Sequence, residues 1–354
     1  MRIKLAILEK DSNYLKRIAT VFGTKYADKL EVYSFTDLEA ALGILDSARI
    51  DVFIASDMFH IDVTAIPKRC GFAYFVDAVD IDTINGQRAI GKFQKADLIY
   101  KQILSIFSEN AANVSGLKMD DDSTKVIAFT SPAGGVGTST MAAACAIHNA
   151  AKGFRTLYLN LEPFGSSDDF FAGEGQFNMS DVIYSIKTKR ANLAMKLESC
   201  VKRDQRGVSF FSQSKLALDM LELTVDEKLR LISELKLTGS YDQIILDVEF
   251  GLTDSLLNVL HQANILVFVG DGSLISNTKL FRAFTALSMK EQSEESPLMD
   301  RAVLVYNKFS SKTSKALNNV DLKTIGGAPK FEHATVEQML GHLSQMTLFD
   351  EVNK

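Results

Sequence analysis

The chain has 354 residues, 46% of them apolar and 23% charged, which suffices for two domains with buried cores and excludes wholesale disorder. The formal net charge of -5 argues against a uniformly basic nucleic-acid binder, so no direct nucleic-acid contact is expected. Three widely spaced cysteines, Cys70, Cys145 and Cys200, offer neither a disulfide framework nor zinc spacing, and a reducing cytoplasm is the expected setting. No apolar run reaches the roughly 18 residues of a membrane span. The apolar start at residues 1–8 is broken by Glu9-Lys10-Asp11 and reads as a first strand, not a signal peptide. Any membrane association is therefore expected to be indirect.

In chain order, residues 5–8 form an apolar run, and residues 12–22 carry Leu15, Ile18, Ala19 and Phe22 at helical spacing. Residues 30–35 are strand-like, 37–47 helical, 52–55 a third strand, and 96–108 a closing helix. Such alternation predicts a parallel sheet with crossover helices. Residues 109–122 are polar, contain Gly116 and three consecutive aspartates, and read as a linker. The division expected is a first domain at 1–108, a linker at 109–122 and a second domain at 123–354. The second domain alternates again, with strands at 126–129, 156–160, 208–211, 243–247, 265–269 and 302–306. Helices are expected at 139–151, 225–237 and 277–289. The fold class is α/β, two doubly wound domains, with ligands at the carboxyl ends of strands.

Ser131-Pro132-Ala133-Gly134-Gly135-Val136-Gly137-Thr138-Ser139-Thr140 follows a strand and opens a helix. Its glycines permit close backbone approach, and its N–H groups with the helix N-terminus make an anion cradle. The usual phosphate-loop pattern puts Lys where Thr138 stands; Ser139 keeps the hydroxyl that would touch magnesium. The alternative is a ligand-free strand-to-helix turn. In context the loop resembles the deviant phosphate loop of the MinD/ParA ATPases, whose two lysines are replaced here by Ala133 and Thr138. Residues 159–165 resemble that family's second motif, with Asn160 and Glu162 in place of two aspartates. Residues 241–247 resemble its Walker B strand, ending at Asp247. Tyr306-Asn307-Lys308 resembles its adenine-contacting motif. The resemblance implies ATP and Mg2+ as cofactors. Nucleotide contacts would come from Gly134, Gly135, Val136, Gly137, Thr138, Ser139, Thr140, Asn307, Lys308 and Pro329. Metal contacts would come from Ser139 and Asp247. Each has a plainer reading as well: Asp247 as the cap of a buried strand, Glu162 as a solvated turn acid, Asn307-Lys308 as a strand-end turn, and Pro329-Lys330-Phe331 as a loop closure.

The first domain resembles a response-regulator receiver whose phosphorelay set is broken. Glu9 and Asp11 match the acidic cluster. The acceptor position falls at Ser56, with Asp57 beside it. No hydroxyl stands near Asp77 or Ala78, and Lys95 is taken as the retained lysine. A degenerate receiver followed by a deviant MinD/ParA domain is similar to the TadZ/CpaE family, which implies a dimeric ATP-binding factor placing and assembling Tad-type pili at a cell pole. Its partners would be pilus or secretion proteins. Missing loop lysines imply little or no hydrolysis, with no catalytic residue assigned. The alternative is an active ParA/MinD-like ATPase that positions DNA or protein cargo, needing charge from a partner. A MinD-like membrane tail is a third possibility: Val336, Met339, Leu340, Leu343 and Met346 lie at helical spacing, but the tail is poor in Lys and Arg and packing on the core is expected.

Overall fold

A computed structural model describes residues 2–78, 80–110, 124–189, 192–292, 297–318 and 320–353. Contacts divide the chain into two compact units, Met1–Gly116 with Lys187–Cys200, and Leu117–Ile186 with Val201–Lys354. Of the expected linker 109–122, residues 109–110 end a helix and 111–122 lie outside the described residues.

The first unit opens with β1 (Ile3–Leu8), α1 (Ser12–Lys25), β2 (Leu30–Phe35), α2 (Leu38–Ser47), β3 (Val52–Ser56), β4 (Gly71–Val76), β5 (Thr83–Ile84), β6 (Gln87–Gly91) and α3 (Ala96–Asn110). The second contains β7 (Lys125–Thr130), α4 (Thr138–Ala151), β8 (Thr156–Asn160) and α5 (Met179–Lys187). Next in the chain comes α6 (Leu193–Cys200), whose contacts place it in the first unit. The second unit resumes with β9 (Lys202–Arg203), β10 (Ser209–Phe210), α7 (Ala217–Leu221), α8 (Val225–Leu237), β11 (Gln243–Asp247), α9 (Asp254–Leu260), β12 (Ile265–Gly270), α10 (Leu274–Lys290), β13 (Ala302–Phe309), β14 (Lys323–Pro329) and α11 (Val336–Leu343).

The first sheet has the order β2-β1-β3-β4-β6-β5, parallel except for β5, which pairs antiparallel with β6. This is a doubly wound arrangement. β3 and β4 are buried throughout, which explains their near-continuous apolar sequences. α1 starts at Asp11, whose carboxylate accepts hydrogen bonds from the N–H groups of Asn13 and Tyr14, and it buries Leu15, Ile18 and Phe22. Among the described residues, the β3–β4 connection carries only a 3-10 turn at Val63–Ala65, and the β4–β6 connection only β5. Full crossover helices are replaced there by short pieces.

The second sheet has the order β14-β13-β12-β7-β11-β8-β10-β9, parallel except for the β9–β10 pair. β7 and β11 lie at its centre. α4 is buried along almost its whole length, and its run Met141–Ala146 is fully covered. The alanines let this helix approach the sheet closely and so set the position of its N-terminus. The C-terminal residues Leu340, Leu343, Leu348, Phe349 and Val352 are buried, with Met346 packed against the same core. The tail thus packs on the core, and no described helix is long and apolar enough to cross a membrane.

α6 docks on α3 through an unusual buried cation. Lys196 Nζ donates to Ser105 Oγ at 2.8 Å and stands 3.5 Å from the Glu109 carboxylate, while Met195 packs against the apolar core of α1 and α3. A hydrogen bond involving a charge contributes about 1.5–3 kcal/mol. Replacing Lys196 by Met keeps the apolar stem and removes the ammonium. This variant is expected to lose about that amount of stability, with hydrogen-exchange protection falling in α3 and α6 together. Unchanged protection in α3 would show that the docking contributes nothing.

Candidate functional site

The site of interest lies at the carboxyl end of β7. Gly135 and Gly137 adopt φ of 76° and 88°, a region other residues enter only with strain. At Gly137 the requirement is also steric: an added Cβ would lie 2.4 Å from Asn307 Nδ2. Gly137 is the N-cap of α4 without a side-chain cap, so the first N–H groups of Thr138, Ser139 and Thr140 have no intrahelical acceptor. Together with the loop they form a concave set of donors suited to an anion. Ala133 and Val136 are buried, whereas Gly134 and Gly135 are exposed. Ser131 Oγ accepts from Ala133 N at 3.0 Å and donates to the Val269 carbonyl at 2.7 Å, tying the loop to β12.

Asn307 and Lys308 come to the same loop from the end of β13. Asn307 Nδ2 donates to the Val136 carbonyl at 2.9 Å, and Lys308 Nζ donates to the Gly135 carbonyl at 2.8 Å. Lys308 holds a left-handed φ of 55°. These two side chains brace two of the loop carbonyls. Pro329 ends β14 opposite Phe309, exposed at the sheet edge, beside the strand that carries Asn307 and Lys308.

Asp247 ends β11, level with Phe129 of β7 and Asn160 of β8. It is completely buried. Tyr158 Oη donates to its Oδ2 at 2.6 Å, and Asn160 Nδ2 stands 3.3 Å from the same oxygen. Its other oxygen, Oδ1, is buried without a hydrogen-bond partner. Burial, then the nearby Glu162 carboxylate, push the Asp247 acid up to about 7, against the hydroxyl dipoles of Tyr158 and Ser139. Burial also raises Glu162, opposed by Ser139, whose Oγ stands 3.4 Å from Glu162 Oε2. A buried carboxylate oxygen with no partner, next to a hydroxyl, a second carboxylate and an anion cradle, fits a hard divalent cation. Ser139 and Asp247 are the residues that would hold it. Asn160 is spent locally: its Oδ1 accepts from Glu162 N at 2.9 Å while its amide faces Asp247.

In the first unit the corresponding strand ends are occupied by the protein itself. Lys92, just beyond β6, is buried and reaches Glu9 Oε2 at 2.9 Å, Asp77 Oδ1 at 3.1 Å and Ser56 Oγ at 3.4 Å. Burial pulls the Lys92 ammonium down, but its hydrogen bonds to Glu9 and Asp77 prevail and hold it above the ordinary lysine value. This corrects the assignment of the lysine to Lys95, which is exposed at the start of α3, its carbonyl accepting from Leu98 and Ile99. Asp11 serves as a helix cap, and Asp57 is exposed beside the buried Ser56.

Residues 1–108 match the family described as "TadZ-like, receiver domain". This part of the chain is similar to TadZ-like receiver domains. Beyond the receiver, the chain has the fold of a ParA family ATPase from Chlorobium tepidum TLS, at 18% identity and a TM-score of 0.52, covering 66% of this chain and 99% of that one. The septum site-determining protein MinD from Pyrococcus horikoshii OT3, described in complex with Mg-ADP, aligns at 16% identity and a TM-score of 0.49 over 65% of this chain and 96% of that one. No curated protein matches the chain. The receiver match is thus followed by a second α/β unit with the fold of a ParA family ATPase.

The raised Asp247 acid has a consequence for stability. Its folded value, about 7, lies above its ordinary value of 3.8, so folding favours the protonated form. That contribution is complete below the lower value and is lost as pH rises through the upper one. Between pH 4 and pH 7 the melting temperature of the ligand-free chain is expected to fall relative to that of Asp247→Asn at constant ionic strength. Parallel pH profiles would contradict the assignment.

Proposed function

We propose that the chain is an ATP-binding localisation and assembly factor for Tad-type pili, acting as a cytoplasmic homodimer at the cell pole with little or no hydrolysis. The observation that carries this reading is the pairing, in one chain, of a TadZ-like receiver with a braced glycine loop beside an unsatisfied buried carboxylate. The N–H groups of residues 134–140 would bind phosphate oxygens, and Ser139 with Asp247 would hold Mg2+, which when bound supplies positive charge next to those oxygens. Asn307, Lys308 and Pro329 would border the base.

Slow hydrolysis follows from what the loop lacks. Ala133 and Thr138 carry no charge, and loss of one preorganised donor typically costs about 10²–10³ in rate. Backbone donors that bind ground state and transition state alike hold a nucleotide without accelerating its cleavage. A homodimer is supported by apolar side chains around the carboxyl ends of the strands. Phe164, after β8, is 81% exposed, and Leu274 and Ile275, after β12, are 83% and 71% exposed. Pilus or secretion proteins are the expected partners of the receiver, because a closed ion pair fills its acceptor pocket and leaves its surface for docking.

Calorimetry is expected to show Mg-ATP binding by the wild type, abolished in Gly137→Val, where a side chain meets both a forbidden φ and Asn307. Turnover should remain far below ordinary ATPase rates. Brisk hydrolysis lost in Asp247→Ala would overturn the reading, as would an absence of heat with Mg-ATP and no competition by ADP.

For the receiver, incubation with a small phosphodonor should leave the chain unlabelled, because Ser56 cannot form an acyl phosphate and Lys92 already fills the pocket. Stoichiometric labelling at Asp57, found by mass spectrometry, would show an active phosphorelay.

A further inference from the structure

Tyr158 belongs to none of the motifs that mark the site. It sits in the middle of β8, where its sequence neighbours are leucines, and it is completely buried. Its ring packs with Phe171 at 5.1 Å and Phe170 at 6.2 Å between centroids. Packing alone would be served by phenylalanine, which leaves no buried hydroxyl to satisfy. The hydroxyl instead makes a 2.6 Å hydrogen bond to Asp247 Oδ2. Asn160, two residues along the same strand and on the same face, adds an amide at 3.3 Å to the same oxygen. Both donors act on Oδ2 and neither on Oδ1, which stays buried without a partner.

We propose that Tyr158 is a positioning residue for the cation site: with Asn160 it saturates one oxygen of Asp247, fixes the carboxylate's rotation, and presents the other oxygen to Mg2+. This rests on the reading of Asp247 as a cation ligand and deepens it. A carboxylate with two free oxygens can turn away from a cation or bind it through either one. Two donors from one interior strand remove that freedom before the ion arrives. An aspartate at 160 would do the opposite, because it would place a second negative charge against Asp247 in a dry interior. Asn160 and Tyr158 together thus provide a neutral shell, which suits a site that binds a cation firmly and has no lysine nearby on the loop to share the charge.

The test uses the full-length chain with Mg2+, alone and with ADP. Tyr158→Phe keeps the ring and removes only the hydroxyl. Its Mg2+ affinity, measured by calorimetry with ADP present, is expected to fall about tenfold, the size of one hydrogen bond to a charged group. Asn160→Ala should fall less, and it serves if Tyr158→Phe fails to fold. A second readout is spectroscopic. The chain has nine tyrosines and no tryptophan, so tyrosine absorbance is unobscured. Mg2+ addition should give a tyrosine difference band in the wild type that is absent in Tyr158→Phe. If the wild type binds Mg2+ and both variants match it within twofold, the positioning role is wrong while the cation site stands. If the wild type shows neither Mg2+ affinity nor a difference band, the cation site itself is wrong, and this inference falls with it.

Discussion

The geometry of the second unit turns on one constraint, a fully buried carboxylate at the end of a central strand. Asp247 sits where β11 stops between β7 and β8. Backbone bonds from Leu161 and Val248 fasten the chain on both sides: Leu161 N donates to the Asp247 carbonyl at 2.9 Å, and Val248 N to the Phe129 carbonyl at 3.2 Å. A charge cannot be left there without compensation. The neighbouring strands supply part of it through Tyr158 and Asn160, and burial with Glu162 shifts the acid toward neutrality. What remains is one oxygen facing the start of α4. The position of that helix, set by its alanine face, brings the Ser139 hydroxyl toward Asp247.

The two units answer the same problem in opposite ways. Each is a doubly wound sheet, and each gathers acidic and hydroxyl groups at the carboxyl ends of its strands. In the receiver the gathering is closed by a lysine from its own sheet, and Lys92 neutralises Glu9 while touching Ser56. Its one ammonium is shared between Glu9 and Asp77. Among the described residues of the second unit no ion pair to Asp247 is found; Lys308, which reaches the loop, is turned to the Gly135 carbonyl. The first cluster holds a cation of its own, whereas in the second Asp247 Oδ1 is left without a hydrogen-bond partner.

Much of this was legible in the sequence, for identifiable reasons. The glycine loop, Ser139 and Asp247 sit in local patterns of fixed spacing, and the alternation of strands and helices predicts both parallel sheets. Lys92 escaped because its place depends on how many residues β5 and its turn consume, which no periodicity records. Tyr158 escaped because in a buried parallel strand every position reads as apolar, and only the fold reveals that its hydroxyl meets an acid 89 residues away. α6 escaped for a third reason: its sequence lies within the second domain, yet its contacts belong to the first unit. A helix of eight residues with one buried lysine gives no hint of that in its own pattern.

The roles of Asn307 and Lys308 clarify what the loop can do without the lysines of the phosphate loops it resembles. A lysine on the loop would contribute charge; Asn307 and Lys308 contribute rigidity, because both donate to loop carbonyls. Fixing the carbonyls inward orders the N–H groups before any anion arrives, which lowers the entropy cost of binding. Rigidity of that kind strengthens the hold on a bound phosphate group in every state along a reaction path. Charge placed at the transferring group favours the transition state in particular. Under the proposed function, a loop with the first and without the second would retain a nucleotide, and the lifetime of whatever assembly depends on it would be set by nucleotide exchange instead of cleavage.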